Sequence, residues 1–171
     1  LGLWQAVEAI TLHNGARKFS ARFYGQDNSG PVVLCLHGFP DNANSFHFQI
    51  DDFVAAGYRV LIPTLRGYEP SSITADADYY LASLAQDVFA WLDELHLDKV
   101  HLVGHDWGAA IAYAASAIAP DRFLSLTTMA VPHPARFIRE GLAGVPLQIL
   151  KSWYMFFNQI PVLSDYLIRQ G

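Results

Sequence analysis

The sequence predicts an α/β domain with a mostly parallel β-sheet and helices on both of its faces. Segments with strand character alternate with segments whose apolar residues recur at helical spacing, which is typical of parallel sheets with crossover helices. Residues 31–37 form a nearly unbroken apolar run, as expected for a strand covered on both sides. The glycine-flanked segment Gly104-His105-Asp106-Trp107-Gly108 then predicts a sharp turn from a strand into a helix.

Six strands are predicted along the first three quarters of the chain. The first two are separated by Asn14-Gly15, a dipeptide that is typical of β-hairpin turns. A loop, Asp27-Asn28-Ser29-Gly30, separates this hairpin from the buried run that follows. In chain order, the predicted strands cover residues 7–12, 17–25, 31–37, 59–63, 100–104 and 123–129.

Three helices are predicted between the later strands. In the first, Phe46, Ile50 and Val54 recur four residues apart, and Gly57 is placed to end the helix. The second has seven apolar positions at helical spacing, and the third is rich in alanine. The second and third helices are predicted at residues 78–94 and 109–119. After Val131-Pro132-His133-Pro134 the pattern changes, and residues 135–171 indicate mostly helix with no further strand.

Composition and net charge argue against nucleic-acid binding. Of the 171 residues, 52% are apolar and only 16% are charged, where an average chain has about 25% charged residues. The net charge of −5 and the lack of a basic cluster make nucleic acid an unexpected partner. Cys35 stands alone in an apolar run, which indicates a buried, unreactive thiol.

The ends and hydropathy of the chain bear on its location. No apolar run approaches the roughly 18 residues that a membrane-spanning helix needs. The N-terminus does not have the pattern of a signal peptide. We therefore expect a soluble, cytoplasmic protein. The chain starts at Leu1 without a methionine, so we expect that its true beginning is missing.

The segment around Asp106 has the spacing of a nucleophile elbow. Small residues flank the elbow because strand and helix approach so closely that a side chain at Gly104 or Gly108 would clash. An aspartate presented in this way can attack carbon directly and form an ester with its substrate. The alternative is that Asp106 only caps the helix that follows.

A second motif, His37-Gly38-Phe39-Pro40, follows the buried strand at residues 31–37. Ligands of open α/β sheets bind at the carboxyl edge of the strands, where this turn would lie. The backbone N–H groups of Phe39 and Trp107 would then form a two-donor oxyanion hole beside Asp106. Alone, the segment could equally be an ordinary proline turn, but the elbow farther along favours the functional interpretation.

Together with Arg66-Gly67-Tyr68 and Ser152-Trp153-Tyr154, these motifs resemble those of the α/β-hydrolase superfamily and, within it, the epoxide hydrolases. The resemblance runs from about residue 7 to at least residue 157. It implies that residues 1–134 are the N-terminal part of an α/β-hydrolase core and that residues 135–171 begin a helical cap. It also implies a last set of strands and helices that this chain lacks.

The resemblance implies how the site would work. Asp106 would open a small apolar epoxide through a covalent ester, and water would then release the diol. Tyr154 would donate a proton to the departing oxygen, unless it only packs inside a helix. Direct contact with the substrate is expected from His37, Phe39, Trp107 and Tyr154. No metal ion and no organic cofactor are implied.

Two other functions stay open at this point. Haloalkane dehalogenases share the aspartate and the tryptophan after it, but they usually have asparagine where Phe39 stands. Fluoroacetate dehalogenases typically have arginine in place of Trp107. The pair Phe39 and Trp107 therefore favours an epoxide. The second alternative is a non-catalytic binding protein on the same scaffold.

The release of the diol by water requires residues that this sequence does not provide at the expected positions. The resemblance requires a histidine, oriented by an acid, that follows a strand beyond the cap, and none of the seven histidines has that position. His133 is interpreted as a structural loop residue. We therefore expect the histidine and its acid to lie outside this chain. The 171 residues alone would then not complete the catalytic cycle. Because residues 123–129 would form an uncovered sheet edge, we expect a fragment, or a fold completed by another polypeptide or a homo-oligomer.

Overall fold

The computed structural model describes residues 7–73, 78–136 and 139. Its strands are β1 (Val7–Asn14), β2 (Arg17–Tyr24), β3 (Val32–Leu36), β4 (Arg59–Pro63), β5 (Val100–His105) and β6 (Phe123–Met129). Its main helices are α1 (His47–Ala55), α2 (Leu81–Glu94) and α3 (Trp107–Ile118). Short 3₁₀ turns cover Ala43–Phe46, Pro70–Ser72 and Pro120–Arg122, and one helical turn covers Pro134–Arg136.

The strands form one mixed, mostly parallel sheet in the order β1-β2-β4-β3-β5-β6. Strands β3 to β6 pair in parallel, whereas β1 with β2 and β2 with β4 are antiparallel. The antiparallel start follows from the tight turn after Asn14, because a turn of two residues reverses the chain and cannot join parallel strands. The α/β class predicted from the sequence is confirmed.

Helices cover both faces of the central strands. On one face, α2 and α3 pack with β3, β4 and β5 in a core that includes Trp91, Phe19 and Leu102. On the other face, α1 contributes Ile50 and Val54 to a smaller cluster. All five residues of β3 are buried, which explains why this strand has no polar alternation.

Two helices begin at residues other than those predicted. Helix α2 begins at Leu81 rather than at residue 78, because Tyr80 is extended and the carbonyl of Asp78 accepts a hydrogen bond from Arg66. Helix α3 begins at Trp107 rather than at residue 109. Gly108 has a poor intrinsic helix propensity, and the tertiary turn overrides it.

Strand β6 forms one edge of the described sheet. It pairs with β5, and no other strand among the described residues lies on its free side. Leu124 and Leu126 are 49% and 38% exposed. An apolar strand with one unpaired side is the arrangement that the sequence led us to expect for residues 123–129.

The chain divides into two compact units, residues 1–131 and residues 132–171. The first unit contains the sheet and helices α1 to α3. Of the second, the structure describes residues 132–136 and 139, which include the single turn Pro134–Arg136. The predicted division at residue 134 stays a prediction. In the described part of the chain, no helix has the length and apolar character needed to cross a membrane.

Candidate active site

Asp106 lies between the end of β5 and the start of α3, in a strained backbone conformation. Its φ and ψ angles are 53° and −119°, and a positive φ is uncommon for residues other than glycine. Such a conformation costs on the order of 1–3 kcal/mol and persists only where the surrounding structure imposes it. Here the Asp106 N–H donates to the Met129 carbonyl at 3.1 Å, which ties the turn to the end of β6.

The glycines on both sides of Asp106 are required by close backbone approach. A Cβ on Gly104 would lie 2.5 Å from the Gly108 carbonyl oxygen, and a Cβ on Gly108 would lie 2.1 Å from the Leu36 carbonyl oxygen. Both distances are far below van der Waals contact, and backbone atoms cannot swing aside. The sequence-based explanation of the two glycines is therefore confirmed by the geometry.

The Asp106 side chain does not cap α3. It occupies the N-cap position but makes no capping hydrogen bond. Instead its Oδ1 accepts a hydrogen bond of 3.0 Å from the backbone N–H of Phe39, 67 residues earlier in the chain. A Cβ on Gly38 would lie 2.5 Å from the Asp106 Cβ, so the turn after β3 lies directly against the elbow. The capping interpretation does not describe this carboxylate.

Trp107 is the residue from which the sequence predicts the second donor. It is the first residue of α3, so its N–H has no acceptor within the helix, and such N–H groups at helix N-termini are typical donors to anionic ligands. Its side chain is 49% exposed, and that of Phe39 is 51% exposed. The oxyanion roles of the Phe39 and Trp107 amides stay predictions.

His37 is fully buried, which argues against the direct substrate contact expected from the sequence. Its Nε2 accepts a hydrogen bond of 3.1 Å from the Leu65 N–H, and its Nδ1 lies 3.0 Å from the Gly38 carbonyl oxygen. Its ring also packs edge-on against Tyr68, with the ring centroids 4.7 Å apart. Burial lowers the pKa of His37, and this effect is only partly opposed by the Gly38 hydrogen bond and the charge of Asp41.

A cleft of about 350 Å³ lies beside the elbow. Its wall is mainly apolar and aromatic, and it is lined by Phe39, Leu65, Arg66, Gly67, Tyr68, Tyr79, Leu84, Trp107 and Ile111. Asp106 accepts a hydrogen bond from the N–H of Phe39 and directly precedes Trp107 in the sequence, so it lies next to two residues of this lining. A mainly apolar cleft with few polar groups is the usual form of a small-molecule site.

Arg66, the one cation among the described residues that line the cleft, is neutralised within the protein. Its guanidinium forms two parallel hydrogen bonds with the carboxylate of Asp87, at 2.8 and 2.7 Å, and it also donates to the carbonyls of Asp78 and Ser83. The side chains of Arg66 and Asp87 are each 2% exposed. A guanidinium whose donors are used in this way offers little to an anionic ligand.

Tyr68 and Tyr79 are cleft residues to which sequence reasoning assigned no role. Burial, followed by the negative charges of Asp106 and Asp41, raises the pKa of Tyr68 to about 12, so its phenol stays protonated at neutral pH. For Tyr68, the motif Arg66-Gly67-Tyr68 was a sequence signal that could have indicated a place in the cleft. For Tyr79 no sequence signal exists. The predicted proton donor, Tyr154, lies outside the described residues.

Comparison with known proteins gives a consistent set of similarities. The model of the α/β hydrolase fold family matches residues 31–165. An epoxide hydrolase from Caballeronia sordidicola is 40% identical over 137 residues, which cover 77% of this chain and 40% of that protein. Epoxide hydrolase 3 from Siraitia grosvenorii is 40% identical over 157 residues, which cover 91% of this chain and 49% of that protein.

A solved structure shows the same similarity. A Vigna radiata epoxide hydrolase mutant is 29% identical and superposes with a TM-score of 0.77, covering 96% of this chain and 52% of that one. The chain thus spans about half, or less, of the length of the relatives that it matches.

Proposed function

The chain belongs to the α/β-hydrolase fold family, and on that premise we propose that it carries the nucleophile half of an epoxide hydrolase site. The substrate would be a small, uncharged, apolar epoxide. The observation that carries the proposal is the pairing of an elbow aspartate with a backbone donor, the Phe39 N–H at 3.0 Å from Asp106 Oδ1. The names of the relatives from Caballeronia sordidicola and Siraitia grosvenorii support the choice of an epoxide.

The first step is an in-line displacement. An oxygen of the Asp106 carboxylate bonds to a ring carbon, the ring C–O bond breaks, and its electron pair moves to the departing oxygen. A proton from the phenol of Tyr154 converts this oxygen to a hydroxyl, because an alkoxide is far more basic than a phenolate. The product is an ester between Asp106 and the opened substrate.

The second step returns the aspartate. Water adds to the ester carbonyl carbon of Asp106 and gives a proton to a base, and the carbonyl oxygen becomes an oxyanion. The N–H groups of Phe39 and Trp107 stabilise that charge, a contribution of about 2.7–4 kcal/mol per donor in comparable sites. Collapse of this intermediate expels the diol oxygen as an alkoxide, which takes the proton of the acid thus formed on Asp106, and the proton held by the base returns to Tyr154. We propose that the base and its acid lie outside residues 1–171.

The cleft supports an uncharged substrate. Its lining is mainly apolar, Arg66 is already bound by Asp87, and Asp106 carries a negative charge at the reacting end. An anionic epoxide would meet repulsion from Asp106, and no described residue of the cleft offers a free cation to offset it. An apolar substituent would instead gain roughly 25 cal/mol for each Å² that it buries in the cleft.

Intact-mass analysis tests the proposal. After incubation with styrene oxide, the protein should gain the mass of one epoxide, because ring opening has no leaving group, and peptide mapping should place the adduct on Asp106. Asp106→Asn should abolish the adduct. Asp51→Asn, which changes an exposed carboxylate on α1, is the matched control and should leave it unchanged.

The same assay separates the alternatives. A haloalkane dehalogenase would be alkylated by a bromoalkane, with release of bromide, and would leave the epoxide intact. A binding protein would gain no mass from either reagent. An adduct that persists in Asp106→Asn would contradict the assignment of the nucleophile. If the base lies outside this chain, the wild-type ester should accumulate rather than turn over.

A further inference from the structure

We infer that His37 is a positioning residue, held as the neutral tautomer with its proton on Nδ1, which aims the Phe39 N–H at Asp106. This inference rests on the proposed function for its catalytic meaning. Its structural content stands on hydrogen bonds that do not involve a substrate.

The hydrogen bonds of His37 determine where its proton lies. The Leu65 N–H can only donate, so Nε2, which lies 3.1 Å from that nitrogen, must carry a free lone pair. The proton of the neutral ring is then on Nδ1, which donates to the Gly38 carbonyl oxygen at 3.0 Å. A proton on Nε2 would place two donors against each other in a fully buried site.

The bond to the Gly38 carbonyl controls the donor at the elbow. The Gly38 carbonyl and the Phe39 N–H belong to the same peptide unit, which is planar, and in a trans peptide they point in opposite directions. His37 holds the carbonyl edge of this plane, together with the Asp41 N–H at 3.2 Å. The opposite edge is thereby directed at Asp106 Oδ1, 3.0 Å away.

The other side of His37 is held by the loop after β4. Leu65, whose N–H fixes Nε2, precedes Arg66, and the guanidinium of Arg66 is bound to the buried carboxylate of Asp87 in α2. The edge-on contact with Tyr68 restricts the rotation of the imidazole. The ring is therefore fixed by groups on two separate elements before any ligand binds.

Nitrogen NMR of the wild-type protein tests the tautomer without any variant. At neutral pH, the Nδ1 of His37 should give the signal of a protonated nitrogen and Nε2 that of an acceptor nitrogen. The Phe39 amide should exchange slowly with solvent, as expected for a donor bound to a carboxylate. A proton on Nε2, or an imidazolium at neutral pH, would overturn the inference.

Two variants then separate aiming from simple packing. The amide nitrogen of His37→Asn can replace Nδ1 as the donor to the Gly38 carbonyl, whereas the amide oxygen of His37→Gln can replace only Nε2 as the acceptor for Leu65. Each variant loses one of the two hydrogen bonds. We expect similar losses of stability in denaturant, but Phe39 amide exchange about tenfold faster in His37→Gln than in His37→Asn.

A chemical readout completes the test. Hydroxylamine attacks the ester on Asp106 through a tetrahedral oxyanion and needs no catalytic base, so the rate of cleavage reports on the aimed N–H. Cleavage should be at least about tenfold slower in His37→Gln than in His37→Asn, since loss of a whole oxyanion donor costs about 10²–10³. Equal exchange and cleavage rates would make His37 a packing residue only and refute the inference.

The outcomes distinguish this inference from the proposed function. If styrene oxide never modifies Asp106, the proposed function fails, and the tautomer and amide measurements still decide the inference. If the ester forms but the tautomer is wrong, the inference fails alone. If a variant does not fold, the wild-type tautomer and the wild-type Phe39 exchange rate decide it.

Discussion

The buried ion pair between Arg66 and Asp87 gives the sharpest prediction about stability. Asp87→Asn keeps the shape of the side chain but removes its charge. The new amide NH₂ group then faces one of the two Arg66 N–H groups that donate to the carboxylate in the wild type. Asn14 also donates to Asp87 at 2.7 Å, so the carboxylate serves three donors in all. In the variant, one amide oxygen must serve the donors that two carboxylate oxygens serve in the wild type. Arg66 then becomes a buried cation whose one carboxylate partner among the described residues is Asp78, at the longer distance of 3.4 Å.

The expected cost follows from this burial. Removing one partner of a buried pair costs about 3–5 kcal/mol, and the carbonyls that still bind Arg66 favour the lower end, about 3 kcal/mol. For a chain of this size, that loss corresponds to a fall in Tm of roughly 6–12 °C. Urea unfolding followed by circular dichroism measures it.

A matched control lies on the same helix. Asp93 pairs with Arg122 at 2.8 Å, but its side chain is 67% exposed, so Asp93→Asn should change the free energy of unfolding by less than about 1 kcal/mol. The double variant Arg66→Met with Asp87→Leu should be more stable than Asp87→Asn, since it leaves no unpaired buried charge. Equal effects of the two asparagine variants would refute the reasoning from burial.

Three further predictions follow from single sites. Gly38→Ala should slow ester formation on Asp106 about 100-fold in the mass assay, because the new methyl group would lie 2.8 Å from the Asp106 Oδ1 and displace it. Gly108→Ala should cost about 3 kcal/mol or more in urea unfolding, since its Cβ would lie 2.1 Å from the Leu36 carbonyl oxygen; an unfolding midpoint equal to that of the wild type would contradict this close approach. Burial raises the pKa of the Cys35 thiol to about 12, so Cys35 should resist alkylation in the folded protein and react once urea unfolds it; rapid alkylation of the folded protein would contradict its burial. The contribution of the neutral thiol to the free energy of unfolding should be complete below pH 9 and fall as the pH rises towards 12.

Local pattern was enough to predict the elbow. The spacing of Gly104, Asp106 and Gly108 lies within five residues, and the clash that selects glycine there comes partly from the elbow itself, since Gly104 faces the Gly108 backbone. The apolar run of β3 likewise indicated a doubly covered sheet, because burial on both faces removes the need for polar alternation.

The start of α3 could not be read from local propensity. Gly108 is a poor helix former, so sequence reasoning began the helix at Ala109, two residues late. The backbone of Leu36, on a neighbouring strand, lies where a side chain at position 108 would be. The glycine therefore stands inside the helix for a tertiary reason, and its local cost is outweighed by the close packing of helix on strand.

The surroundings of His37 could not be predicted from its motif, because they are formed by residues distant in the chain. Its motif placed it beside the substrate, but Leu65 and Tyr68, from a loop about 30 residues later, enclose the ring. In the same way Arg66 meets Asp87 21 residues away, and Phe39 meets Asp106 67 residues away. The sheet class and the glycine-flanked turn at Asp106 were predictable from the sequence, because each is encoded by residues close together in the chain. The groups that hold the Phe39 N–H and neutralise Arg66 could be found only in the folded protein, since hydrogen bonds between distant segments leave no recognisable spacing in the sequence.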